Sequence, residues 1–282
     1  MAGNAREVAL LTLAACDRQG AWSDLALKKN IRSAGLDGRD AALATRLCFG
    51  VLQNRLLLDF YIGKFSTVKP ERMENKVLNA LRLGAYQMAF LTRVPVSAAV
   101  NESVDLVKRH SKNPRSPGLV NGILRSMARN VDRLPTIPEE DPVSYLSIRY
   151  SHPEWLVRTF LAALGPAEAE QLLAADNGEP PTVAQVNRLR GTLEEVLSSL
   201  RSGGAEAEPH PWLPDCLTLT GGGDLENLTA FREGKLYIQD AGARLAVLAA
   251  APRPGMAVLD ACAAPGGKAF APPTGGGGQR EV

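Results

Sequence analysis

An α + α/β fold class follows from three observations on this 282-residue sequence. Apolar residues recur at helical spacing from Asn4 to about Arg133, with few strand-like alternations. The Pro-rich and acidic stretch "RLPTIPEEDP" (133–142) then breaks that pattern. Beyond it, strands alternate with helices, and the last strand runs into a Gly-rich turn, "AVLDACAAPGGK". Three parts are expected: a helical bundle over 1–135, a linker and small α/β domain over 136–228, and the start of a further α/β domain over 229–282.

In the first part, "AREVALLTLAACDRQ" places Val8, Leu11 and Ala15 on one stripe beside Leu10 and Ala14. "DGRDAALATRLCFGVLQNRLLLDFYIGKF" carries Leu43, Leu47, Val51 and Leu58, with Asp40 as the expected N-cap. "ENKVLNALRLGAYQMAFL" repeats the pattern with Val77, Leu81, Ala85 and Met88. "VPVSAAVNESVDLVKRH" and "SPGLVNGILRSMARNV" add two helices, each with a Pro near its first turn. Short connections between these segments imply a bundle. Phe60, Tyr61 and Tyr86 sit among apolar neighbours and read as core.

Charge is uneven on the last two of these helices. Lys108, Arg109, Lys112, Arg115, Arg125, Arg129 and Arg133 crowd a short span against Glu102, Asp105 and Asp132. Such a cluster is either a solvated helical face or a patch that contacts RNA phosphates, where Lys and Arg release condensed counterions. The sequence leaves both open.

In the second half, "YLSIRYSHPEWLVRTFLAAL" starts a helix after His152 and Pro153, with Trp155, Leu156, Phe160 and Leu164 as the expected buried stripe. His152 reads as a capping or packing residue, since no nucleophile or carboxylate stands beside it in sequence. "TVAQVNRLR" is strand-like, "TLEEVLSSLRSGG" helical, "LTLTGGGDL" and "GKLYIQD" strands, "AGARLAVLAAA" a helix and "MAVLDA" a strand.

Composition sets outer limits. Hydrophobic content of 45% with 22% charged residues is ordinary for a globular protein, and a net charge of +2 does not by itself imply a nucleic-acid partner. The four cysteines, Cys16, Cys48, Cys216 and Cys262, form no CxxC pair, and only three histidines are present. Neither a zinc site nor a disulfide scaffold is expected, and a reducing cytoplasm fits. The N-terminus has no signal-peptide pattern, and no apolar run is long enough to span a bilayer. The expectation is a cytoplasmic protein with no membrane and no metal.

The Gly-rich turn follows Asp260 with small residues: Ala261, Cys262, Ala263, Ala264, Pro265, Gly266 and Gly267. Small side chains at the C-terminal end of a strand let a ligand approach the backbone N–H groups. The turn is not a Walker A loop, because Cys262 stands where that loop needs Gly and Ala269 where it needs Ser or Thr. Nor does it fit the dinucleotide pattern G-x-G-x-x-G.

The whole string "LDACAAPGGK" resembles the cofactor motif of the Sun/Nop2 family of RNA cytosine-5 methyltransferases, which use S-adenosyl-L-methionine. "ALATRLCFGVL", "ALRLGAYQMAFLTRVPVSAAVNESVDLVK" and "GLVNGILR" resemble the NusB-like RNA-binding domain at the front of the bacterial 16S rRNA enzymes of that family. "RYSHPEWLV", "QVNRL", "GGGDLENLTAFREGKLYIQD" and the turn follow in the family's order. The resemblance implies a NusB-like all-α bundle, a small α/β middle domain and the beginning of a Rossmann-like methyltransferase domain. It also implies 16S rRNA as partner and a cofactor site lined by Cys262, Ala263, Ala264, Pro265, Gly266, Gly267 and Lys268. Asp260 would close the strand before the site, and Gln239 and Asp240 match the family's Gln-Asp pair. Two departures are Gln185, where the family usually has Arg, and Ala269, in place of Ser or Thr.

In that family the nucleophilic cysteine, the second cysteine that aids product release and the acids that hold ribose and adenine lie downstream of the turn. Here the chain continues only as "APPTGGGGQREV", and Glu281, near the offset of a ribose-binding acid, lacks a strand to present it. Cys262 is rejected as a substitute nucleophile because its position belongs to the cofactor turn. The expectation is therefore a chain without a catalytic residue, with Val258 and Leu259 partly exposed or covered by "AGARLAVLAAA", and a tail beyond Lys268 that forms no regular structure. The alternative is a non-catalytic NusB-like RNA-binding module.

Overall fold

The computed structural model describes residues 4–178, 180–221, 225–253, 255–263 and 266–268. It divides into two compact units, Met1–Gly178 and Glu179–Val282.

The first unit is all helical: α1 (Ala5–Gln19), α2 (Ser23–Ala34), α3 (Gly38–Gln53), α4 (Arg55–Phe65), α5 (Asn75–Phe90), α6 (Val96–His110), α7 (Ser116–Ala128), α8 (Pro142–Tyr150), α9 (Glu154–Leu164) and α10 (Pro166–Asp176). Helix α5 runs through its middle against α1, α3, α4, α6 and α7. Every residue from Asn79 to Met88 is buried, as expected of a helix wrapped on all sides. Val77, Leu81, Ala85 and Met88 are all in this core. Close approach around α5 requires glycine. A Cβ at Gly84 would lie 2.6 Å from Leu124 Cδ1 and 2.8 Å from Ser103 Oγ, and one at Gly50 would collide with the Tyr86 ring.

Three details depart from the sequence pattern. Leu11 is exposed, and α1 instead buries Val8, Ala9, Leu10, Thr12 and Leu13, because α2, α3 and α5 embrace a wider arc than one stripe. The N-cap of α3 is Asp37, whose carboxylate accepts from the Asp40 N–H at 2.8 Å; Asp40 stands in the first turn, where a negative charge also suits the helix dipole. On α9, Trp155 and Leu164 are exposed and Val157 is the buried residue, since α9 meets only α8 and α10 along a narrow seam. The first unit extends past residue 135, because α8 packs on α4.

A polar network is buried within the bundle. Arg82 of α5 grips Asp59 of α4 through Nε–Oδ1 at 2.7 Å and Nη2–Oδ2 at 2.8 Å. Its Nη1 donates to Asn79 Oδ1 at 3.0 Å and to Asp17 Oδ2 of α1 at 3.3 Å. Asp17 also accepts from Asn75, Asn79 and Arg55. One guanidinium thus ties three helices together, with most of its N–H groups matched to oxygens.

The second unit holds β1 (Thr182–Val186), α11 (Leu193–Ser202), β2 (Ala205–Pro209), β3 (Cys216–Gly221), α12 (Thr229–Arg232), β4 (Leu236–Ile238) and α13 (Ala241–Ala250). The sheet order is β2-β3-β1-β4 and every pair is antiparallel. Strand–helix–strand alternation implied an α/β arrangement without fixing strand direction; here β2 and β3 join as a hairpin and β4 returns beside β1. Alternate residues of β1 serve two small cores. Ala184 and Val186 pack with Val196 and Leu200 of α11, while Val183 packs with Cys216 and with Ala241 and Leu248 of α13. Helix α11 opens with a capping box between Thr192 and Glu195. The expected strand "MAVLDA" forms no ladder among the described residues, and Val258 and Leu259 are exposed, since no neighbouring strand there offers its backbone groups.

Asp59→Ala should lower the stability of the helical unit by about 3 kcal/mol, because the buried guanidinium loses its bidentate partner. Urea denaturation followed by far-UV circular dichroism would measure this.

Candidate functional site

The Gly-rich turn is positioned by the residues that precede α13. Asp240 caps that helix, accepting from the Gly242 N–H at 2.8 Å and the Ala243 N–H at 3.3 Å. Gln239 is buried, and its backbone N–H donates to the Val183 carbonyl at 3.0 Å, holding it to β1. Its side-chain Nε2 then donates to the Gly267 carbonyl at 2.7 Å, which fastens the turn to the end of the sheet. Asp260 Oδ1 accepts from the Cys262 N–H at 2.9 Å, an Asx turn that redirects the chain. Gly266 takes φ +109°, a left-handed value that disfavours any residue with a Cβ.

Of the cofactor residues expected from sequence, Cys262 and Ala263 are exposed, Gly266 is buried, and Gly267 and Lys268 are half-buried. Ala264 and Pro265 lie outside the described residues, as do Ala269 and Glu281. A Cβ at Gly267 would meet nothing within 4 Å, so the backbone there is open to a ligand. The Asp260 Oδ2 and Gln239 Oε1 atoms are buried without a hydrogen-bond partner among the described residues. Small residues, an open backbone and unspent polar atoms fit the amino-acid end of S-adenosylmethionine.

Sequence reasoning missed Arg244. This α13 side chain is 1% exposed, yet its Nε and Nη1 find no hydrogen-bond partner among the described residues. Cys216 is near enough to feel its charge: burial pushes that thiol up, and Arg244 opposes the shift. An arginine inside "AGARLAVLAA" reads as an ordinary helix surface residue, and only the packing places it inside. Gln185, also buried with an unpartnered Oε1, faces the interior and is closed to RNA.

Three of the four cysteines are shaped by burial. Burial pushes the Cys48 thiol up to about 12, and raises that of Cys16, helped by the adjacent Asp17 carboxylate. Cys216 is buried in β3 and Cys262 belongs to the turn. His152 contacts the Tyr150 carbonyl through Nδ1 at 2.7 Å and lies 3.8 Å from Asp176, a packing role at the α8–α9 corner. Among the described residues, no group of three or more His, Cys, Asp or Glu could hold a metal, and no helix is long and apolar enough to cross a membrane.

The basic cluster resolves into two kinds of residue. Lys108 pairs with Asp105 at 2.8 Å and Arg109 with Glu7 at 2.7 Å, so their charges are locally matched. Lys112, Arg115, Arg125 and Arg129 are exposed and have no ion-pair partner among the described residues. On α7 and its caps the exposed positions run Arg115, Gly118, Gly122, Arg125, Arg129, at spacings of three and four, which is one helical stripe. A Cβ at Gly118 or Gly122 would meet nothing, so packing does not require either glycine. An exposed mid-helix glycine costs about 1 kcal/mol relative to alanine. What it provides here is a smooth track between arginines.

Comparison with known proteins places these features. Residues 3–129 match the NusB family, and residues 152–226 match the Methyltr_RsmF/B-like, ferredoxin-like domain. A Bacillus subtilis protein named probable ribosomal RNA small subunit methyltransferase B is 36% identical over 265 residues, covering 93% of this chain and 58% of that protein. A Synechocystis protein of the same name is 33% identical over 266 residues, covering 94% and 59%. The Erwinia tasmaniensis ribosomal RNA small subunit methyltransferase B is 34% identical over 265 residues, covering 94% and 59%. The chain thus spans about three-fifths of the length of these relatives. The crystal structure of PH0851 shares the fold with a TM-score of 0.67 at 21% identity, covering 95% of this chain and 60% of that one.

Arg244→Met should stabilise the second unit by about 1–4 kcal/mol, because an apolar chain of similar length replaces a buried and under-paired charge. A higher Tm in differential scanning calorimetry is the expected result.

Proposed function

We propose a function from one established premise: the chain belongs to the family of the proteins named ribosomal RNA small subunit methyltransferase B. It carries the RNA-binding and cofactor-entry parts of an S-adenosylmethionine-dependent methyltransferase acting on cytosine C5 of 16S rRNA in the bacterial cytoplasm. The observation that carries this reading is the Gln239–Gly267 hydrogen bond, which ties Gly267 of the turn to the end of the sheet with the space beside its backbone open.

When bound, S-adenosylmethionine supplies an electrophilic methyl group. The chain's own residues bind and orient it. Cys262 to Lys268 would line its amino-acid end, Gly266 allows the sharp backbone path, and Gln239 fixes the Gly267 carbonyl. Activation of cytosine C5 calls for a thiolate that adds to C6. Burial raises the thiol pKa of Cys16, Cys48 and Cys216, and Cys262 is an exposed residue of the turn. We accordingly propose that this 282-residue chain binds RNA but does not itself transfer methyl groups.

RNA would be engaged by Lys112, Arg115, Arg125 and Arg129, with Lys108 and Arg109 at the margin. The α7 stripe favours this, since its glycines let a phosphate backbone lie close to the helix. The same stripe supports the second reading, a non-catalytic NusB-like RNA-binding module. The two readings part on whether S-adenosylmethionine binds at all.

Titration calorimetry with S-adenosylmethionine should give weak binding, and labelled methyl transfer to 16S rRNA should be undetectable. Tight stoichiometric binding or turnover would overturn the incomplete-site reading, and complete absence of binding would favour the second. Gly122→Ala should raise the stability of the helical unit by up to about 1 kcal/mol while lowering RNA affinity in filter-binding titrations. A substitution that stabilised without weakening RNA binding would remove α7 from the interface.

A further inference from the structure

A second exposed face of the helical unit combines an aromatic ring, a pocket and unpaired bases, far in sequence from α6 and α7. Trp22, the N-cap residue of α2, is 78% exposed. It lines a shallow pocket of about 330 Å³ with Cys16, Gly20, Ala21, Ser23 and Leu52. The pocket exists because α1 stops at Gly20 in a left-handed C-cap, with φ +59°, and the chain turns directly into α2.

Helix α2 is docked by its inner side alone. Leu27 is buried, and Asn30 donates to the Thr12 hydroxyl of α1 at 2.9 Å. Its outer side carries Leu25, Lys28, Lys29 and Arg32 at spacings of three, one and three, all exposed. The three bases have no ion-pair partner among the described residues, and α2 carries one acid, Asp24, in its first turn. Arg18, exposed in the last turn of α1, adds a further positive charge near the pocket. Burying the indole costs nothing in the fold as it stands, because the fold does not bury it.

We propose that this face is a binding site for single-stranded RNA: a base stacks on Trp22 at the mouth of the pocket, and the following phosphates run along Lys28, Lys29 and Arg32. Each part has a separate physical reason. An exposed aromatic ring offers a stacking platform to any base, and a row of unpaired cations offers charge to the backbone beside it. The pocket, lined by apolar groups and backbone, takes the flat face of a base better than a charged side chain. A protein partner would need a complementary acidic surface; RNA carries that charge along its whole length. The inference rests on the reading that the helical unit binds RNA, and it adds a contact that reads single strands, where the α7 stripe reads phosphates alone.

The test uses the full chain with a single-stranded 16S rRNA fragment and a duplex of equal length, measured by filter binding over a series of salt concentrations. Trp22→Ala should weaken single-strand binding roughly tenfold, leave duplex binding unchanged and leave the salt slope unchanged. Trp22→Phe should retain most of the affinity. The triple substitution Lys28→Ala, Lys29→Ala, Arg32→Ala should lower the salt slope by about 2, since each lost single-strand phosphate contact removes roughly 0.7. These are surface positions, and unchanged circular dichroism will show that the variants fold. If the wild-type chain binds neither RNA, the RNA-binding reading itself fails. If it binds and the Trp22→Ala and triple variants bind as well as the wild type, only this inference fails, including where the face then proves to hold a protein.

Discussion

The bundle depends on Arg82. A guanidinium in the middle of a buried helix must find partners or the helix cannot be buried, and Asp59, Asp17 and Asn79 supply them from three directions. Because the arginine fork and the Asp59 carboxylate are both planar, the pair fixes the relative rotation of α4 and α5 as well as their distance. Apolar packing alone tolerates helix rotations that keep the core volume; a bidentate pair does not. Asn79 and Asn75 carry the same constraint to Asp17 and so to α1.

That rigidity determines what the surface can do. With α5 pinned, Gly84 lets α6 and α7 close on it, and α7 is left with a fixed outer face. Helix α2 is reached through α1 and α3, held by Leu27 and the Asn30–Thr12 hydrogen bond. Both basic faces are therefore outer sides of helices whose inner sides are fully committed. Flexible arms bearing the same charges would lose entropy on ordering at an RNA surface. Charges on docked helices lose only side-chain freedom.

Much of this was legible from the residues, and the exceptions have physical causes. The α5 periodicity gave its buried residues because a helix surrounded on all sides buries whatever apolar residue it carries. The α9 stripe failed at Trp155 and Leu164 because periodicity reports that a face is apolar, without saying how wide a neighbour covers it. Asp37 and Asp40 are both good caps, and only backbone φ and ψ decide between them. Antiparallel pairing was hidden because "TVAQV" and "LYI" look the same in either direction. In the candidate site, the turn is a contiguous string that a sequence displays at once, whereas the Gln239 tether joins residues 28 apart. No spacing in the sequence singles out Trp22, because exposure of one aromatic ring leaves no periodic signal, and the α7 glycines stand out only once nothing is found near them.

Arg82 and Arg244 make the last comparison. Both are arginines almost wholly buried on helices, yet one has oxygens on most of its donors and the other lacks partners at Nε and Nη1. A buried, unspent donor costs free energy that a purely structural design would avoid. The second unit holds several such atoms, on Gln185, Gln239, Arg244 and Asp260, each without a hydrogen-bond partner among the described residues. Binding sites collect unspent polar groups because a ligand, when present, uses them. The helical unit matches Arg82 to oxygens and leaves Asn75 Oδ1 without a partner among the described residues, whereas the sheet unit holds more such atoms. That contrast is a physical reason to test the second unit, rather than the first, for a small ligand.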